Sequence, residues 1–100
     1  MRLELRLRPA AVVDLENVWL TGLKLWSPQQ CEQYVDDLFR FMSSLSDFPD
    51  RYRVRKEIRD EIRIAPFRSH IIIYRVTPPI LDVIRVRHGH EDWAGEFESE

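Results

Sequence analysis

The residues of this 100-residue chain most able to do chemistry gather near its carboxyl end, where Arg85, Arg87, His88, His90, Glu91 and Asp92 follow one another closely. A histidine beside an arginine can serve general acid/base cleavage of a phosphodiester, the imidazole moving the proton and the guanidinium steadying the phosphate. The same histidines and carboxylates could be read as metal ligands, but their spacing is not specific and no cysteine pair joins them. A strand-end histidine bonded to backbone or carboxylate is the simpler reading, so no metal and no other cofactor is expected. Cys31 falls on an apolar helical stripe and reads as packing rather than as a nucleophile. His70 and Tyr74 would share one strand face and serve as satisfied polar packing. There is no glycine-rich phosphate loop, no G-x-S-x-G and no P-loop lysine, which removes nucleotide-binding and serine-hydrolase readings.

Charge is distributed unevenly around these residues. Residues 1–50 hold five basic and eight acidic groups, net -3; residues 51–88 hold ten basic against four acidic, net +6; residues 89–100 hold five acids, net -5. A basic middle followed by an acidic tail suits an anionic or acidic partner surface, and equally a solvated strand face with a solubilising end. An apolar fraction of 44% with 32% charged residues describes a globular chain of about one domain, expected over 1–90 with an acidic tail over 91–100. The single cysteine allows no internal disulfide, and Arg2, Glu4, Arg6 and Arg8 interrupt any apolar leader, so a cytoplasmic location and no membrane contact are expected.

The elements that must position these groups follow from periodicity. Leu3, Leu5 and Leu7 alternate with charged residues as a strand does when one face is buried. From Pro9 the period becomes helical, with Val12, Leu15, Val18, Trp19, Leu23 and Trp26 on one stripe, predicting a helix over 9–25. Ser27, Pro28 and Gln30 signal a second start with a capping box. Cys31, Tyr34, Val35, Leu38, Phe41, Met42 and Leu45 then predict a second amphipathic helix ending near Ser46. So short a connection makes the pair a hairpin. Residues 47–53 read as a loop around Pro49.

Strands are predicted over 54–58, 62–68, 70–76 and 80–88, with Asp60/Glu61 and Thr77-Pro78-Pro79 as turns. Ile71, Ile72 and Ile73 are apolar on both faces, which marks a central strand, whereas Pro66 suggests a bulge in the segment before it. The fold class is α+β: an N-terminal strand, a helical hairpin, then an antiparallel-rich sheet of three to four strands with the helices on one face. On that arrangement the other face stays partly open, and Arg6, Arg8, Arg85 and Arg87 are expected to converge there.

The pattern resembles the ParE toxins of the RelE/ParE superfamily. Asp14, Leu15, Val18 and Trp19 match a D-L-x-x-V-W first helix, with Tyr34, Leu38, Leu45 and Pro49 following. His70-Ile71-Ile72-Ile73-Tyr74-Arg75-Val76 is similar to the family's H-x-I-x-Y-R-V, and Arg85-Val86-Arg87-His88-Gly89-His90-Glu91-Asp92 to its R-V-L-H-G-R-x-D. Arg87 stands where the family usually has an apolar residue and His90 where it has arginine, while Asp50, Arg51 and Tyr52 follow Pro49 in place of the usual glycine.

The resemblance implies a type II toxin that inhibits DNA gyrase without being an enzyme, has no specific nucleic-acid binding of its own, and is neutralised in a hetero-oligomer by a ParD-type antitoxin. On this reading target contacts are expected at Arg63, Arg85, Arg87, His88 and Trp93, and antitoxin contacts at Leu5, Trp19, Leu23 and Trp26; the alternative is that Trp19 and Trp26 are core residues of an amphipathic stripe and that Trp93 folds back onto the sheet. The rival on the same fold is a RelE-like ribosome-dependent mRNA endonuclease using His88 and Arg85. That branch calls for an arginine beside the third-strand histidine, where this chain has Ile71. An inactive relic that only forms the complex is the third reading, motivated by Arg87 and His90.

Overall fold

The computed structural model describes residues 2–58 and 61–89. Its elements are β1 (Glu4–Leu7), α1 (Pro9–Leu25), α2 (Pro28–Asp47), β2 (Arg63–Phe67), β3 (His70–Thr77) and β4 (Ile80–His88). Pro9 opens α1 directly after the strand, since its fixed φ already suits a helix and its missing N–H would have had no helical partner there. Ser27 and Gln30 close a reciprocal capping box on α2: Gln30 N–H donates to Ser27 Oγ at 3.1 Å and Ser27 N–H to Gln30 Oε1 at 3.3 Å. With only Trp26 and Ser27 between them, the helices fold back on each other as a hairpin.

The two helices use their sequences differently. Along α2 the buried positions Cys31, Tyr34, Leu38, Met42 and Leu45 are those of the predicted stripe. On α1 the inward face is Ala11, Asp14, Leu15 and Gly22, whereas Val12, Leu23 and Trp26 of the predicted stripe are exposed. Because α1 is apolar on almost every side, several stripes fit its periodicity equally well, and the hairpin chooses the one with the smallest residues. A Cβ on Gly22 would lie 2.6 Å from Cys31 Sγ, so the missing side chain lets the helices approach there.

The sheet runs β1-β4-β3-β2, with β1 parallel to β4 and the other pairs antiparallel. Pro66 is tolerated because β2 is an edge strand, where a missing N–H need not break a ladder on both sides. Beneath the helices Leu81, Val83 and Val86 of β4 join Ile72, Tyr74, Leu38, Met42 and Leu45 in the main core.

The opposite face departs from expectation. Residues 54–58 do not form a strand: Val54 makes one bridge to Arg63, and Arg55 N–H donates to Ile62 O at 2.7 Å. The segment instead delivers Ile58 and Ile62 onto Ile64, Ile71, Ile73 and Ile84, a second apolar cluster that covers much of the face expected to be open. Its apolar residues gain more from covering isoleucines than from extending a sheet edge.

Nor do the arginines form one basic surface on that face. Arg6 pairs with Glu4, Arg8 with Asp82, and Arg85 turns toward α1. In β4 Ile73 faces Arg85 and Tyr74 faces Val83, so Ile84 is one residue too many, and past it Arg85 and Arg87 stand opposite Ile73 and Ile71 instead of sharing the side of Leu81 and Val83. That bulge interrupts the strict alternation that sequence reasoning assumed.

Candidate functional site

Past Leu7↔Val83, β1 no longer accompanies β4, and the outer edge of β4 needs other partners. Asp14 of α1 supplies one. Its Oδ2 accepts the Val86 backbone N–H at 2.9 Å and Arg85 Nε at 2.7 Å, while its Oδ1 accepts Arg85 Nη2 at 2.9 Å. A carboxylate carrying a two-pronged guanidinium and an edge amide satisfies polar groups on both elements at once. It pins the first half of α1 to the strand.

Beyond that pin α1 and β4 form the walls of a cleft of about 440 Å³, lined by Asn17, Thr21 and Trp26 on one side and His70, Arg87 and His88 on the other. The histidine wall is braced from behind. Tyr34 Oη lies 2.7 Å from His70 Nδ1, and the His70 and His88 rings meet edge-on with centroids 5.3 Å apart. Burial pushes the Tyr34 hydroxyl above its ordinary range, partly countered by hydrogen bonding to Ser69 and by the Arg68 charge, so the phenol keeps its proton at neutral pH. Tyr34 also packs against Trp26 and Phe67, with centroids 5.3 and 5.6 Å away. Arg68, at the β2–β3 turn, spans Phe67 at 4.8 Å and pairs with Asp37 at 3.1 Å, tying α2 to the same end of the sheet.

Of the five N–H donors of the Arg85 guanidinium, Asp14 takes two. The Cys31 thiol is raised by burial and donates to Trp19 O at 3.2 Å, which fits packing. Among the described residues no group of three or more histidine, cysteine, aspartate or glutamate side chains could hold a metal ion. His90, Glu91 and Asp92, considered as ligands from sequence, lie outside the described residues, as does Trp93.

A second concavity, about 540 Å³, runs between the helices beside β1 and is almost wholly apolar, with Leu7, Val12, Trp19, Leu20, Val35 and Phe39 in its walls. Of the residues assigned to an antitoxin, Trp19 lines this groove. Leu23 lies exposed on α1, Leu5 is half-buried against the main core, and Trp26 belongs to the cleft.

Of those assigned to a target, Arg85, Arg87 and His88 come together at the cleft. Arg63 sits on β2, its side chain 16% exposed, donating to Tyr52 O at 2.7 Å and pairing with Asp50 at 3.3 Å. Asp14 was quoted only as part of a motif, and sequence reasoning missed its role. The available signal was an acid between Val13 and Leu15 in α1 and an arginine between Ile84 and Val86 in β4.

A sequence model described as the ParE toxin of the type II toxin-antitoxin system parDE matches residues 5–93. Toxin ParE1 of Mycobacterium tuberculosis (strain CDC 1551 / Oshkosh) is 36% identical over 87 residues, covering 86% of this chain and 89% of that protein. Toxin ParE1 of Caulobacter vibrioides is 26% identical over 83 residues, covering 83% and 85%. Among solved structures, a chain from the chromosomal ParDE TA system of P. aeruginosa superposes with a TM-score of 0.76 at 16% identity, over 87% of this chain and 96% of the other, a likeness of fold.

Proposed function

This chain belongs to the ParE toxins of type II toxin-antitoxin systems, and we propose that it arrests growth by binding DNA gyrase in the cytoplasm, without catalysing a reaction, until a ParD-type antitoxin covers it. The observation that carries this reading is the unbroken family match from Leu5 to Trp93, which takes in the end of β4 as well as the hairpin. Arg87 and His88 on the cleft wall, together with Trp93, which lies outside the described residues, are the proposed target contacts. Arg85 and Arg63, each held by a carboxylate, contribute by fixing the strands on which that surface depends. The antitoxin takes the apolar groove with Trp19 in its wall, and reaches Leu23, Trp26 and the β1 edge at Leu5. No helix among the described residues is long and apolar enough to cross a membrane.

The test is a supercoiling assay with purified gyrase, alongside expression in a bacterial host scored for DNA damage response and message cleavage. Inhibition by the wild-type chain that falls at least tenfold in an Arg87→Ala/His88→Ala/Trp93→Ala variant of unchanged fold supports the reading. Undiminished inhibition by that variant rejects the contact surface. Cut messages without DNA damage transfer the protein to the RelE-like nucleases, and normal growth with soluble protein identifies a relic.

A further inference from the structure

The ridge of α1 opposite its buried residues carries apolar side chains where a surface helix ordinarily carries charge. Leu20 is 54% exposed and Val13, one heptad earlier, 52%, with Leu23 beside them at 38%. Large apolar side chains grouped on an exposed ridge are normally covered by a partner. The charges on this ridge say what covers it: Glu16 stands four residues before Leu20 and Lys24 four residues after. At about 100° per residue they fall roughly 40° to either side of Leu20, one turn below and one turn above.

A two-fold axis through Leu20, perpendicular to the helix, brings each position before Leu20 opposite the equally distant position after it on a second copy. Leu20 then meets its own counterpart, Glu16 meets Lys24 of the second copy, and Lys24 meets Glu16 of the second copy. The patch is complementary to itself, as an isologous dimer contact must be. A parallel pairing would instead set like charges against each other.

We propose that this chain, when no partner covers it, pairs with a second copy through an antiparallel α1–α1 contact centred on Leu20. This goes beyond the toxin reading and bears on it, because Leu20 also walls the groove assigned to the antitoxin, so self-pairing and antitoxin binding exclude each other. One helix pair buries less than a standard interface, so the pairing is a weak and transient one.

Sedimentation equilibrium on the purified full chain, from roughly 1 to 200 µM, tests this. The wild type is expected to shift from monomer to dimer across that range, and Leu20→Glu to stay monomeric with an unchanged far-UV circular dichroism spectrum. Glu16→Lys is expected to weaken pairing up to about tenfold by opposing two lysines, and Glu16→Lys/Lys24→Glu to restore it. A wild type that stays monomeric throughout, a dimer that survives Leu20→Glu, or a charge-swapped double variant no better than Glu16→Lys would each overturn the proposal. Gyrase inhibition, read on the same preparations at nanomolar concentration where the chain is monomeric, reports on the toxin reading separately.

Discussion

Helices α1 and α2 lie side by side in one hairpin, and only α2 divides its residues between a dry face and a wet one. Its outward positions carry Glu32, Asp36, Asp37 and Arg40, and its inward ones Tyr34, Leu38, Met42 and Leu45. Helix α1 reverses both habits: its inward face contains Asp14, while Val12, Val13, Leu20 and Leu23 look outward. The difference follows from what each helix must touch. Helix α2 covers a core and ends in solvent, whereas α1 closes the edge of β4, packs on α2 and still offers an apolar surface. An amphipathic helix needs only its core contact, whereas exposed apolar side chains such as those of α1, and Phe39 of α2 in the shared groove, mark an interaction surface.

Substituting equivalent leucines gives the sharpest contrast. Leu38 of α2 is fully buried, so Leu38→Ala should cost about 3 to 4 kcal/mol through lost burial and the cavity left behind. Leu20→Ala on α1 should change stability by less than about 0.5 kcal/mol in the same urea titration. Equal costs for the two would erase the distinction between the helices.

Asp14→Ala reads the inward side of α1. It removes the acceptor for Arg85 and Val86 N–H together and should cost about 3 kcal/mol, since a part-buried cation and an edge amide lose their partner. Asp37→Ala on the outer side of α2, where the pair with Arg68 is partly exposed, should cost under about 1 kcal/mol. If Asp14→Ala unfolds at the wild-type urea midpoint, the pin between α1 and β4 is not one.

A pH titration reads the core that α2 covers. Burial pushes the Tyr74 phenol from 10.0 up to about 12, with the Arg63 charge opposing. A folded-state value above the unfolded one means the protonated form is favoured on folding. That contribution is complete below pH 10 and is lost as pH rises toward 12, amounting to about 2 to 3 kcal/mol. Urea midpoints at pH 9 and 12 should therefore diverge in the wild type, and the gap should shrink in Tyr74→Phe. An identical gap in both would place the alkaline loss elsewhere.

The smallest effect is at the joint between the helices. Ser27→Ala should cost about 1 kcal/mol by uncapping α2, measured by thermal unfolding. No corresponding loss is available at α1, whose N-cap Arg8 makes no side-chain capping bond.

Much of this architecture was legible residue by residue. The leucine alternation of β1, the capping box at Ser27, the α2 stripe and the triple isoleucine of β3 each state a local preference strong enough to survive tertiary context, as does the family motif from His70 to Val76. The inward face of α1 was not legible, because a helix apolar on nearly all sides has no dominant period. The isoleucines at 58 and 62 read as strand residues, since β-branched side chains pack equally well as a strand or as a cover laid across one.

What the sequence by itself determined, then, is the order of elements, the division of labour in α2 and the membership implied by its motifs, all properties of neighbours within a few residues. Only the tertiary structure decided that β4 bulges at Ile84, that Arg85 reaches Asp14 from 71 positions away, and that Arg6 and Arg8 pair with Glu4 and Asp82 instead of joining it in one basic face. Those outcomes depend on which unpaired edge amide lies beside which carboxylate, and on a one-residue change of strand register. Periodicity along the chain carries no information about either.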